Sequence, residues 1–120
     1  MVDSKALDRY VRAARPRYEA ELRRWVELPT ISLMAESRPS IQRCAEAAAS
    51  AVTALGGTAE VLKTRGNPVV VGRFGNDRKH PTVTIYNHLD VQPAEGAAWK
   101  REAFKLSIEG DRYYARGATD

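Results

Sequence analysis

A chain of 120 residues, 43% hydrophobic and 28% charged, suits one modest globular core and excludes low-complexity and fibrous classes. Cys44 is the only cysteine, which excludes an intrachain disulfide, and no run approaches the roughly 20 apolar residues of a membrane span. The net charge of +4 raises a polyanionic partner, but residues 1–30 mix seven basic with five acidic side chains, the pattern of a solvated face and not of a nucleic-acid surface.

The chain starts MVDSKALDRY, with no apolar core of the kind a signal peptide needs. With the lone cysteine, this gives a cytoplasmic protein with no membrane partner as the expectation. From Ser4 to Leu28 the apolar residues Leu7, Tyr10, Val11, Ala14, Tyr18, Leu22, Trp25 and Val26 recur at three- and four-residue steps, which predicts a helix with one apolar stripe. Pro16 lacks an N–H and clashes with the preceding turn, so a kink or two abutting helices is expected there. Pro29 ends the run, and residues 30–39 read as a loop.

A second helix follows. Ser37 or Ser40 can cap its start, and Ile41, Cys44, Ala45, Ala48, Val52 and Leu55 form its expected buried face. Gly56-Gly57 stops it. In that alanine-rich setting Cys44 reads as a small buried apolar residue. The period then changes to that of strands: Thr58–Lys63, Val69–Phe74 and Thr82–Asn87 are rich in β-branched residues and separated by Gly, Asn and Pro turns. Two further strands, Phe104–Glu109 and Arg112–Arg116, flank a Gly110-Asp111 hairpin turn. Helices first and strands after predict an α/β layered domain with a mixed sheet, occupying residues 1–120 as one domain or one piece of one.

Chemistry concentrates at the end of the most apolar strand. TVTIYNHLDVQP sets His88 and Asp90 just past its C-terminal end, where open α/β sheets usually place their sites. Residues i and i+2 of an extended chain point to one side, so both can face one pocket. Imidazole ligates zinc through one nitrogen, and a carboxylate can orient the ring. The alternative is a histidine hydrogen-bonded at a strand end. His80, between Lys79 and Pro81, reads as an exposed turn residue. Trp99 and Phe104 read as core or pocket wall, at most one of Tyr113 and Tyr114 can face a site, and Arg116 reads as an ion-pair partner or a contact for a substrate carboxylate.

The whole stretch HLDVQPAEGAAWKREAFKLSIEGDRYYARGATD resembles the dinuclear zinc metallopeptidases related to carnosinase, aminoacylase and succinyl-diaminopimelate desuccinylase. GNPVVVGRFG is similar to a strand of that family and RRWVELPTIS to the end of its first helix, so the resemblance covers nearly the whole chain; YNHLDVQPA is nearest the carnosinase-like dipeptidase branch. The resemblance implies a three-layer α/β/α domain. It implies that His88 binds one of two divalent metal ions, that Asp120 bridges both, and that Asp90 sits behind His88 as a catalytic residue that holds the ring and adjusts the charge felt by the metal. A carboxylate has two oxygens for two ions about 3.5–4 Å apart; read without the resemblance, Thr119-Asp120 after Gly117 is helix-capping chemistry. Zinc is the first expectation for the metal, with manganese or cobalt as alternatives. Asn87 stands where many of these proteins have glycine, a departure that touches fine geometry.

The resemblance also implies what is not here. Its water-activating base comes from an adjacent Glu-Glu pair, followed by a further carboxylate and histidine, and no Glu-Glu pair occurs in the sequence. The chain is therefore expected to be the N-terminal portion of a longer enzyme and inactive alone. The parent is expected to hydrolyse peptide bonds of small peptides through a metal-activated water, as a homodimer and without nucleic acid. The alternatives are an N-acyl-amino-acid deacylase of the same fold and a non-catalytic fragment or binding module.

Overall fold

Asp3 opens the first helix by accepting the backbone N–H of Lys5 at 3.0 Å, and α1 then runs unbroken over Ser4–Val26. The computed structural model describes residues 3–75, 77, 79–94 and 99–119. Pro16 lies inside that single helix, which corrects the expected break into two. The proline removes one bond, to the carbonyl of Arg12, which stands on an exposed turn where water can take its place. The Arg15–Glu19 ion pair at 2.7 Å spans the proline and supports the turns on either side. Of the expected stripe only Val26 is buried, while Leu7, Tyr10, Val11 and Tyr18 are exposed. The period was right for a helix, but the elements packed on it leave its first turns exposed and only half-bury Ala14, Leu22 and Trp25.

The chain forms two compact units, Met1–Glu27 with Gly96–Asp120, and Leu28–Glu95. In the first, β3 (Ser107–Glu109) and β4 (Arg112–Tyr114) pair antiparallel across the two-residue turn Gly110-Asp111. Gly110 has φ +60 and Asp111 does not share the positive sign, the pattern of a type II′ hairpin with glycine in its first position. Helix α1 grips this hairpin through polar side chains. Arg23 donates to the Leu106 carbonyl at 3.0 Å, the Leu106 N–H donates to Glu27 at 3.4 Å, and Leu106 itself is buried. The Tyr113 hydroxyl donates to Glu19 at 2.7 Å and lies 3.1 Å from the Tyr18 hydroxyl.

In the second unit a 3-10 turn at Ala35–Ser37 leads into α2, Arg38–Ala54. Ser37 occupies the cap position without a side-chain capping bond, and Pro39 in the first turn presets the helical φ where no N–H is needed. Ile41, Cys44, Ala45 and Ala48 are buried, but Leu55 is exposed: it has become the C-cap, past the last turn that faces the hairpin. Gly56, at φ +85, completes a Schellman ending, with Gly57 N–H to Val52 C=O and Gly56 N–H to Thr53 C=O, both 3.0 Å. β1 (Thr58–Leu62) and β2 (Val69–Arg73) then pair antiparallel, from Thr58 opposite Arg73 to Leu62 opposite Val69. Gly72 on β2 admits α2 closely: a β-carbon there would lie 3.0 Å from Val52 Cγ2.

The mixed α/β class is as expected, but the described strands form two separate antiparallel pairs and not one sheet. The expected strand Thr82–Asn87 is not formed; its residues have no ladder partner among the described residues. Val83, Ile85 and Tyr86 are 79–86% exposed. β-branched side chains favour a strand only where another strand and a covering layer receive them, and β1 and β2 are already paired with each other. The chain is tied down only beyond this run, at a parallel bridge between Ile31 and Val91. Among the described residues no helix is long and apolar enough to cross a membrane.

Candidate functional site

The stretch that carries His88 is fixed from one side. The Val91 N–H donates to the Thr30 carbonyl at 3.0 Å, and the Thr30 hydroxyl donates to the Leu89 carbonyl at 2.8 Å. Thr30 is 3% exposed, so its hydroxyl has exchanged water for that single carbonyl. The Thr30 N–H donates to the Leu28 carbonyl at 2.9 Å in a tight turn about Pro29, after which Ile31 bridges in parallel to Val91.

Just before these anchors the His88 ring meets residue 90, two positions along the chain. Nδ1 of His88 lies 3.0 Å from the Asp90 main-chain oxygen and 3.5 Å from Asp90 Oδ1. His88 and Asp90 are therefore brought together, as their spacing suggested, with both side chains partly exposed. The shorter contact goes to the main chain. A carbonyl can only accept, so in this bond Nδ1 is the donor. An imidazole oriented by an oxygen acceptor at Nδ1 is the arrangement in which histidine ligates metal through Nε2.

The third expected member, Asp120, lies outside the described residues. Among the described residues no three His, Cys, Asp or Glu side chains gather as a metal-binding set. The donors that are described, one oriented imidazole and an adjacent carboxylate, fit part of a metal shell and not a whole one. Thr30, read from the sequence as the start of a loop, is the residue that sequence reasoning missed. A Thr following Pro is a common loop signature, and nothing local marks a partner 59 residues away.

The other candidates resolve plainly. His80 is exposed, in a turn where Asp77 accepts the N–H of Lys79 at 2.9 Å, and its Nε2 is 3.6 Å from Asp77 Oδ2. In the unit built on α1, Arg116 stands over the Trp99 ring at 4.9 Å and Arg101 over the Tyr114 ring at 4.2 Å while also pairing with Glu109. Tyr113 and Tyr114 alternate as expected, Tyr113 going to Tyr18 and Glu19. Its bonds to Tyr18 and Glu19 push the Tyr113 phenol up, and Arg15 with Tyr113 holds the Glu19 carboxyl below its ordinary value. Burial raises the Cys44 thiol, in keeping with a structural apolar role.

No family model matches the chain. It is 32% identical over 122 aligned residues to a Cys-Gly metallodipeptidase of Candida albicans, covering 88% of this chain and 25% of the relative. Human carnosine dipeptidase 1 superimposes with a TM-score of 0.86 at 28% identity, over 93% of this chain and 26% of that one. An M20 family metallo-carboxypeptidase from Sulfolobus solfataricus gives a TM-score of 0.72 at 39% identity, over 84% and 23%. The chain thus spans about a quarter of the length of the proteins it matches.

Proposed function

We propose that this chain, a homologue of the Cys-Gly metallodipeptidases and of carnosine dipeptidase, is one portion of a metal-dependent dipeptidase that hydrolyses the peptide bond of small peptides. The observation that carries the reading is the match to a metallodipeptidase along 88% of the chain. The contact of His88 Nδ1 with the Asp90 main-chain oxygen supports it, because a bond at one ring nitrogen is how a metal-ligating histidine is oriented.

In this reading His88 binds one of two divalent ions through Nε2, with zinc as the first candidate, and Asp120 offers its two carboxylate oxygens between them. When bound, such ions acidify a water and polarise the scissile carbonyl. His88 would be oriented by its Nδ1 contact with the Asp90 main-chain oxygen. The Asp90 carboxylate, 3.5 Å from that ring, lowers the net positive charge of the site. The base that takes the proton of the water is not assigned to this chain, whose sequence lacks the Glu-Glu pair of the resembling family. The single cysteine supports a reducing, cytoplasmic setting.

The test is metal content and dipeptidase activity of the protein that contains this segment, with Asp120→Ala and His88→Ala beside the unaltered form. Each variant is expected to lose metal and to lower Cys-Gly or β-Ala-His hydrolysis by at least about 100-fold, since an ion of a paired site acts as a unit with its neighbour. Full metal stoichiometry in Asp120→Ala would refute its bridging role. Hydrolysis of N-acetyl amino acids in preference to dipeptides would move the substrate class.

A further inference from the structure

Residues 82–87 read Thr-Val-Thr-Ile-Tyr-Asn, with no charge, no proline and no glycine, and all but Asn87 are β-branched or aromatic. All are exposed, and they have no ladder partner among the described residues. The described strands differ from this run in one respect that bears on association. Each carries a charge: Glu60 in β1, Arg73 in β2, Glu109 in β3 and Arg112 in β4. Identical chains bring identical charges together, so a charged strand hinders pairing with its own copy. Residues 82–87 have no such guard.

The run is also complementary to itself. Alternate residues of an extended chain point to one side, so Val83 and Ile85 share a face. When two copies pair antiparallel about Thr84, Val83 of each stands opposite Ile85 of the other, and Thr82 opposite Tyr86. Aliphatic β-branched pairs and threonine–aromatic pairs are cross-strand contacts that stabilise a ladder. One patch then serves both molecules, as a two-fold axis requires. We propose that residues 82–87 are a self-association surface whose partner is the same run of a second copy of this chain, paired antiparallel about Thr84. The proposal is independent of the metallodipeptidase reading.

The size of the surface sets the strength. A six-residue strand is about 20 Å long, and two of them bury less than the roughly 1,200 Å² of a standard interface. Association is therefore weak and rises with concentration. Ile85→Lys removes two cross-strand pairs from each dimer and sets an ammonium against Val83 of the partner copy. It should raise the concentration needed for association by roughly 10-fold. Ile85 is 79% exposed, so the fold does not depend on it.

The experiment is sedimentation velocity of the full chain, Ile85→Lys and Val83→Glu, from about 10 μM to 1 mM, a range suited to a weak interface. Amide exchange is measured on the same samples, and circular dichroism checks that each variant keeps the fold. The unaltered chain is expected to associate, with amides of residues 82–87 gaining protection as concentration rises, and each variant alone to associate less. An equal mixture of the two variants should recover part of the association, because the antiparallel register sets the introduced carboxylate opposite the introduced ammonium. A parallel in-register pair would not do so, and a mixture that associates no better than its components overturns the proposal. Association that Ile85→Lys leaves unchanged uses another surface and overturns it too. A chain that stays monomeric to 1 mM also refutes it: protected amides in 82–87 would then mean that a segment of the same molecule covers the run, and unprotected ones that nothing does.

Discussion

Gly72→Ala is a one-carbon change whose consequence depends on a single neighbour. The added β-carbon would lie 3.0 and 3.1 Å from the two γ-methyls of Val52 and 3.6 Å from its Cβ. The first two distances are too short for carbon, so α2 must move away from β2 or Val52 must leave its position. Overpacking of this kind costs about 1–3 kcal/mol, and the low end applies because both methyls belong to one side chain. The substitution also reduces the freedom of the unfolded chain, which offsets about 0.4–1 kcal/mol. A net loss of at most about 0.6 kcal/mol results. Val52→Ala removes both methyls from a half-buried position and should itself cost about 1 kcal/mol at the usual value of about 0.8 per buried carbon, reduced for exposure.

In the double variant only the 3.6 Å contact remains, an ordinary van der Waals distance. Gly72→Ala should there be neutral or slightly stabilising, a favourable coupling of about 1 kcal/mol. Urea unfolding of the four proteins, followed by far-ultraviolet circular dichroism, measures it. Additivity to within about 0.3 kcal/mol would refute the packing described for α2 on this hairpin. Gly57→Ala is the control within the same experiment. A β-carbon there meets the Arg73 carbonyl oxygen at 2.8 Å as well as Val52 and Phe74, so Val52→Ala leaves a clash with main chain and cannot rescue it.

Two further outcomes concern titration and reactivity. The Glu19 carboxyl is held below its ordinary value, so its contribution is present above about pH 4.3, the unfolded value, and is lost as pH falls through the lower folded value. The Tyr113 phenol is raised, so its contribution is complete below about pH 10 and is lost as pH rises through the folded value. Tyr113→Phe should flatten the alkaline limb of stability against pH, and an unchanged limb would show that the Tyr18–Tyr113–Glu19 bonds do not form in solution. Cys44, buried and with its thiol raised, should react with a disulfide reagent only as fast as the chain unfolds, and prompt labelling of the native protein would contradict its place in the core.

What the sequence disclosed depended on how local each cause was. The span of α2 was legible, because most of its apolar face and its Gly56-Gly57 stop are written within 20 residues, although Leu55 is exposed and Ser37 makes no capping bond. The Gly110-Asp111 hairpin was legible for the same reason. The run from Thr82 to Asn87 has the composition of a strand, but a strand exists only with a partner, and no pattern within the run can supply one. Pro16 misled in the opposite direction: its local penalty is one lost bond on an exposed turn, too small to divide a 23-residue helix supported from both sides. The site divides in the same way. His88 and Asp90 are two residues apart and their meeting was foreseeable, whereas the clamp from Thr30 spans 59 residues and leaves no local trace.

The contacts of His88 also separate two jobs that the His-x-Asp spacing merges. Orientation of the ring comes from the main-chain oxygen of residue 90, at 3.0 Å, which any amino acid would supply. The aspartate side chain is then not needed to orient the ring. Its oxygen stands 3.5 Å from the same nitrogen, beyond a good hydrogen bond yet within close electrostatic range. A carboxylate so placed next to a neutral imidazole gains little by itself and carries a charge half out of water. In the proposed metallodipeptidase reading it would gain a purpose beside a dication held by the far nitrogen of the ring, whose charge the aspartate would partly balance. The geometry therefore gives the contact that orients the ring to the backbone, held by Thr30, and in the proposed reading charge would be the reason for aspartate at position 90.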